Sequence, residues 1–158
     1  DIVPADSVEV GFRLPPRRPQ LRTESGEAVG VGSRKRSTAT ARIRPARADD
    51  EHVAAFTVNG LELVDAFPRL CHRAVVMMPL LVTESIGAFH VEASVNGGGY
   101  TGQAGAVRMA LARALQNYDP EWRLVLKRAG QLTRDPREVE RKKPGKPKAR
   151  KSFQWVKR

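Results

Sequence analysis

The alternation of apolar and polar residues along the chain predicts strands. In residues 36–44, alanine and isoleucine alternate with threonine and arginine, which is the period of a strand with one buried face and one polar, cationic face. Residues 53–59 and 89–95 are predicted to be further strands, and Asn59-Gly60 is expected to close a turn before a short helix. We therefore expect a small sheet with one face open to solvent.

Apolar residues spaced three or four apart predict helices over residues 62–67, 69–78 and 102–118. Pro79 is expected to stop the second helix. A further helix is expected to begin after Asp119-Pro120 and to end near Gly130. The predicted core stripe of the long helix is Ala104, Val107, Leu111, Ala114 and Leu115. The side chains predicted to face away from the core, leaving room for a rigid partner, are Ala106, Met109, Ala112 and Gln116.

These elements predict an α+β fold in which helices pack on one face of a small β-sheet. Residues 1–30 lack apolar periodicity and contain several prolines, so we assign them to an N-terminal extension. Residues 31–130 are expected to form the globular domain, and residues 131–158 a long, extended C-terminal tail.

The excess positive charge lies almost entirely at the carboxy-terminal end. Residues 127–158 contain 13 lysines and arginines against three acidic residues, which gives a net charge of +10 out of +11 for the whole chain. Prolines and a glycine interrupt this stretch, so it is expected to order only on binding. A neutral body with a cationic tail indicates a polyanion partner, with nucleic acid the first candidate.

A tail that merely keeps the protein in solution is the plainer alternative. Phe153 and Trp155 argue against it, because aromatic residues two positions apart point the same way in an extended chain and are suited to stacking on bases.

A glycine-rich segment follows the predicted strand 89–95. Residues 97–102 satisfy the pattern G-x-G-x-x-G between a strand and a helix, where glycines can hold a pyrophosphate at a helix N-terminus. A small nucleotide-binding enzyme is therefore one hypothesis. It is weakened because another helix follows, where a dinucleotide fold needs a strand ending in an acid. The same glycines would let an RNA backbone approach closely, and a tight turn beside a solvated helix is the plainest alternative.

Other chemistry finds little support in the sequence. His52, His72 and His90 lie on different predicted elements, so we expect no metal site, no catalytic residues and no cofactor. Cys71 is the only cysteine, which indicates a reducing compartment. No apolar run approaches the 18 residues of a membrane span, and we expect no membrane partner.

Several segments, in the correct order, resemble the universal small-subunit ribosomal protein nine family. They are GSRKRSTA at 32–39, VNG at 58–60, NGGGYTGQAGA at 96–106, ARAL at 112–115, LTRDPREVERKKPGKPKARK at 132–151 and KR at 157–158. The segment 132–151 is highly specific, whereas residues 1–30 lie outside the resemblance.

The resemblance implies the fold of domain two of ribosomal protein S-five, and a body packed on small-subunit ribosomal RNA in the head, beside neighbouring ribosomal proteins. It also implies a tail that reaches the peptidyl-site tRNA. The residues implied to contact ribosomal RNA are Arg34, Lys35, Arg36, Gly97, Gly98, Gly99, Gly102, Gln103, Arg134, Arg137, Arg141, Lys142, Lys143, Lys148, Arg150 and Lys151. The residues implied to approach the tRNA are Lys157 and Arg158.

The carboxy-terminal residues 154–158, QWVKR, depart from the bacterial pattern, in which a serine stands at the position of Val156. Together with the long prefix and a chain that begins at Asp1, this is similar to organellar, especially mitochondrial, members, with a plastid or bacterial cytoplasmic source as the alternative. We therefore expect a non-catalytic structural constituent of the small ribosomal subunit. A free basic RNA chaperone is a third hypothesis.

Overall fold

The computed structural model describes residues 21–22, 26–46 and 55–157. The elements of this described part are β1 (Leu21–Arg22), β2 (Glu27–Arg34), β3 (Ser37–Pro45), β4 (Phe56–Val58), β5 (Leu61–Glu62), α1 (Leu63–Ala66), α2 (Leu70–Val82), β6 (Phe89–Asn96), α3 (Tyr100–Tyr118) and α4 (Trp122–Arg128). The strands form one mixed sheet in the order β1-β2-β3-β6-β4-β5, in which β4 runs parallel to β6 and the other neighbours are antiparallel. The α+β class is confirmed.

The two strands predicted most clearly, β3 and β6, are neighbours at the centre of the sheet. Ala41 lies opposite Ala93, and these side chains are buried. On the other face, Arg42 lies opposite Glu92, with 3.7 Å between their charged atoms, and both side chains are exposed. The predicted alternation is therefore confirmed, and it separates a buried face from a polar one.

Helix α3 packs against β2 and β3 on one side and against α2 on another. Gly30 and Gly32 of β2 allow this, because a Cβ atom at either position would overlap the backbone of α3 near Ala110. The predicted core stripe of α3 is buried, which confirms that part of the prediction.

The prediction that one face of α3 points away from the core is wrong. Ala106, Met109 and Ala112 are buried, and Gln116 is only partly exposed. The reason is that β2 begins at Glu27, inside the segment 1–30 that was predicted to be an extension. Because that strand was not predicted, the face of α3 that packs on β2 was expected to be free of the sheet.

The predicted end of α2 at Pro79 is also wrong, because the helix continues to Val82 with Pro79 inside it. Proline cannot donate the usual helical hydrogen bond, but Pro79 and Leu80 are buried, and tertiary packing outweighs that loss. Thr83 is the C-cap of the helix, and its backbone N–H and Oγ1 both donate to the carbonyl oxygen of Pro79, at 3.2 and 3.0 Å. None of the described helices is long and apolar enough to cross a membrane.

The predicted turn at Asn59-Gly60 is confirmed, but it leads into β5, a short strand that was not predicted, before α1 begins. Both residues have positive φ, +52° and +79°, as a two-residue hairpin turn requires. The Asn59 side chain also pairs with the backbone of Val95. Its Nδ2 donates to the carbonyl oxygen at 3.0 Å, and its Oδ1 accepts from the N–H at 2.8 Å. The amide thereby fastens the turn to β6.

Candidate nucleic-acid interface

The structure brings two of the predicted RNA-binding segments together. Thr38 pairs with Asn96, so the turn that precedes β3 lies beside the loop that follows β6. Lys35 and Arg36 of that turn therefore share a groove with Gly98 and Gly99. Both cations are exposed.

Most of the glycines in this loop are required by the protein's own packing. Gly97 and Gly98 have φ values of +74° and +66°, which favour glycine. A Cβ atom on Gly98 would overlap Ser37 Oγ, and one on Gly102 would lie 2.7 Å from the same atom. Gln103 also holds the loop, because its Nε2 donates to the carbonyl oxygen of Gly97 at 3.2 Å.

Gly99 is different from its neighbours. Its φ of −129° is accessible to any residue, and a Cβ atom there would meet no atom of the described residues within 4 Å. Intramolecular packing therefore does not explain the missing side chain at Gly99. A surface that another backbone approaches closely would explain it.

Gly99 is also the N-cap of α3, a helix of 19 residues whose first N–H groups receive no side-chain cap. Such an end carries partial positive charge and attracts anions. Lys35 and Arg69 flank it, and the rings of His72 and Tyr100 stack beside it with centroids 6.4 Å apart. We call this set, residues 35, 69, 72 and 99–102, the α3 amino-terminal surface.

Four members of this surface, Arg69, His72, Tyr100 and Thr101, were not predicted from the sequence. They lie far from Lys35 along the chain, and only the packing of α2 against α3 brings them together. His90, in contrast, accepts a hydrogen bond of 3.2 Å from the backbone N–H of Ala55 and helps to join neighbouring segments.

The nucleotide-enzyme hypothesis loses its geometric support here. The concave side of the glycine loop contains Ser37, whose Oγ donates to the carbonyl oxygen of Gly97 at 2.9 Å. Helix α3 is followed by α4 and then by the basic tail. No group of three or more metal-type ligands exists among the residues that the structure describes.

Arg34 does not face the same groove. Its guanidinium lies 3.1 Å from the carboxylate of Asp135, and only 22% of its side chain is exposed. This pairing was not predicted from the sequence, because the two residues are 101 positions apart.

We call residues 131–157 the arm; no helix or strand is present in this range. Its three acidic residues each pair with an arginine. Asp135 binds Arg137 at 2.8 Å and Glu138 lies 3.8 Å from Arg134, while Glu140 accepts from Arg150 Nε at 3.1 Å. The hydrogen bonds from Arg150 lower the pKa of Glu140, and the carboxylate in turn raises the pKa of Arg150.

The arm lysines have a different environment. None of them takes part in the salt bridges of the described residues. The exposed predicted RNA contacts among them are Lys142, Lys143, Lys148 and Lys151, with Lys157 near the terminus. Arg141 donates to the carbonyl oxygen of Lys142 at 3.3 Å. Phe153 and Trp155 are 71% and 87% exposed, and Arg158 lies outside the described residues.

These features define a class of protein: a small α+β domain that carries a strongly basic carboxy-terminal arm. The family model described as "Ribosomal protein S9/S16" matches residues 32–158. A protein of Arabidopsis thaliana named "Small ribosomal subunit protein uS9m" is 50% identical over 135 residues, which is 85% of this chain and 30% of that protein. The chain belongs to the Ribosomal protein S9/S16 family.

This membership confirms the resemblance drawn from the sequence, including its organellar, mitochondrial form. The family is structural rather than catalytic, so the expectation that the chain is not an enzyme is confirmed by its relatives. The chain spans less than a third of the length of the curated relative that it matches.

Proposed function

We propose that this chain is a structural constituent of the small subunit of the mitochondrial ribosome and binds small-subunit ribosomal RNA in the head. Its family and its similarity to a small ribosomal subunit protein support that role. The observation that carries the RNA-binding part is the exposed set of arm lysines, which have no carboxylate partner among the residues that the structure describes. Phosphates gain most from such cations, because binding releases condensed counterions.

The body contributes a second contact through the α3 amino-terminal surface. Lys35 and Arg36 supply charge, and the bare backbone at Gly99 leaves room for a phosphate to reach the N-terminus of α3. The adjacent Tyr100 is 58% exposed, which makes its ring available to a base or a ribose.

The end of the arm reaches the peptidyl-site tRNA in this proposal. Lys157 and Arg158 supply the terminal cations, and the exposed Phe153 and Trp155 rings stack on RNA along the path. Deleting residues 152–158 should leave the protein in the small subunit while weakening tRNA retention at the peptidyl site. Unchanged tRNA binding by particles that contain the shortened protein would refute this part.

Co-sedimentation with mitochondrial small subunits in high salt tests the structural role. An integral constituent stays with the particle when weak electrostatic contacts are screened. A free basic RNA chaperone dissociates under the same wash. Release of the full chain at moderate salt would therefore favour the chaperone and contradict the proposal.

A further inference from the structure

Asp135 marks the point at which the arm leaves the body. Just before it, Gln131 is buried and its backbone N–H donates to the carbonyl oxygen of Leu126 at 2.9 Å, while Leu132 packs on the core. Asp135 is still partly buried, whereas residues 136–145 are all exposed. Beyond Asp135, Glu138 and Val139 remain beside the body, because they line the groove that contains Lys35 and Arg36. Asp135 is thus the last partly buried residue before the exposed stretch of the arm.

Arg34 is held firmly on the body side. Its stem fills the space that the missing side chain of Gly105 leaves, because a Cβ atom there would overlap Arg34 Cδ. Arg108 lies nearby, and burial together with the charge of Arg34 lowers the pKa of Arg108. Two crowded, partly buried arginines need a counter-charge, and Asp135 supplies it from the arm.

Both oxygens of the Asp135 carboxylate accept hydrogen bonds. Its Oδ2 accepts from Arg34 at 3.1 Å and from the Arg137 guanidinium at 2.8 Å. Its Oδ1 accepts from the backbone N–H and the Nε of Arg137, at 3.1 and 2.9 Å. Pro136 lies between Asp135 and Arg137, and its ring restricts its own φ angle. The chain direction over residues 135–137 is thus fixed by these hydrogen bonds and a proline.

We propose that Arg34, Asp135 and Arg137 form a clamp that fixes the direction in which the arm leaves the body. Arg34 and Arg137 then act as positioning residues rather than as phosphate contacts. The proposal rests on the proposed RNA-binding function, because a pre-set exit direction lowers the entropy cost of laying the arm along RNA.

The test measures the arm in the free, full-length protein. Cys71 is exposed and is the only cysteine, so V139C adds a second site for a spin label four residues beyond Asp135. The distance distribution between the two labels should be narrow in V139C and broad when Asp135→Asn is added. Equal widths would overturn the clamp, whatever the protein binds.

Glu138→Gln is the matched control. It raises the net charge by the same one unit as Asp135→Asn. It removes the exposed pair with Arg134, at the groove that contains Lys35 and Arg36, and leaves the pair between Arg34 and Asp135 intact. It should leave the distance distribution narrow. A broad distribution in this control would show that net charge, and not the clamp, determines the arm direction.

Affinity for a transcript of the small-subunit ribosomal RNA head gives a second readout. The two possible roles of Arg34 and Arg137 predict opposite changes in this affinity when Asp135 is replaced. If Arg34 and Arg137 were phosphate contacts, Asp135→Asn would release them and tighten binding. The clamp predicts that Asp135→Asn weakens binding by about three- to tenfold, the scale of losing the pre-organisation of a few side chains, while Glu138→Gln does not weaken it. Tighter binding by Asp135→Asn would overturn the proposal; failure of the unaltered chain to bind would instead reject the proposed function.

Discussion

Ser37 Oγ donates a hydrogen bond of 2.9 Å to the carbonyl oxygen of Gly97, across 60 positions of sequence. Ser37 is fully buried at the start of β3, and Gly97 begins the loop that follows β6. The bond joins the turn that carries Lys35 and Arg36 to the loop that leads into the N-terminus of α3. The position of that surface therefore depends on a contact inside the body.

Gly98→Ala should destabilise the protein. The residue has a φ of +66°, and an added Cβ would overlap Ser37 Oγ, so both backbone strain and steric overlap oppose the change. A loss of about 1–3 kcal/mol in the free energy of unfolding is expected, measured by urea denaturation. An unaltered midpoint would contradict the packing described for this loop.

Gly99→Ala should behave in the opposite way. Its backbone is not strained and the space around it is open, so stability should change by less than about 0.5 kcal/mol. Affinity for the head RNA should fall, because the new methyl group blocks close approach of a phosphate to α3. Unchanged affinity in a folded Gly99→Ala protein would remove Gly99 from the interface.

Gly30→Ala tests the close packing of β2 on α3. The added methyl group would overlap the backbone of Ala110 and Ala114, which cannot rotate away. The expected cost is about 2–4 kcal/mol, at or above the usual range for overpacking. Val31→Ala is the control, because this neighbouring side chain is 49% exposed. The two variants should differ clearly in thermal midpoint, and equal midpoints would contradict the packing.

Asn59→Ala should cost about 1–3 kcal/mol, since it removes two hydrogen bonds to the backbone of Val95 and places alanine at a φ of +52°. Asn59→Asp keeps the acceptor but loses the donor. It should therefore retain part of the stability, as measured by thermal unfolding. If Asn59→Asp were as damaging as Asn59→Ala, the acceptor bond would have no measurable role.

The clamp should persist through mild acid. Hydrogen bonds from Arg137, aided by the charges of Arg137 and Arg34, hold the pKa of Asp135 far below its usual range. The carboxylate is therefore stabilised in the folded state. Its contribution is present above the ordinary aspartate pKa and is lost only when the pH falls through the lowered value. An NMR titration of the Asp135 carboxyl carbon should show no inflection from pH 8 down to about pH 3, whereas an ordinary aspartate titrates within that range, at about 3.9.

Arg137→Gln is the control for this titration. Removing the guanidinium that donates most of the hydrogen bonds to Asp135 should move the inflection of that carboxyl upward, towards the ordinary aspartate range. Identical titration curves in the two proteins would contradict the pairing.

Much of the fold was predictable from residue patterns. The alternation in β3 and β6 and the core stripe of α3 are local signals that burial confirms. The outward face of α3 was not predictable in the same way, because the buried positions of β2 are Ala28, Gly30 and Gly32, small residues that give little apolar signal. The prediction at Pro79 was wrong because the cost of proline in an isolated helix is offset here by burial in the core.

The candidate site was also predictable from the sequence only in part. The excess of cations in the arm is a property of composition and needs no structure. The pairing of Arg34 with Asp135 depends on a contact between distant positions. The same is true of the arm lysines, which pair with no carboxylate of the described part of the chain. No local pattern separates a positioning arginine from one that is available to phosphate.

The salt dependence of binding tests the central claim, that the exposed arm lysines bind RNA, most directly. Affinity for the head RNA transcript would be measured over a tenfold range of salt for the full chain and for a full-length variant in which four lysines are replaced by glutamine. The substituted residues are Lys142, Lys143, Lys148 and Lys151. The logarithmic slope should become shallower by roughly 0.7 for each phosphate that the variant no longer neutralises on single-stranded or loop RNA. Identical slopes for the two proteins would show that the arm lysines do not bind the RNA, and would contradict the account.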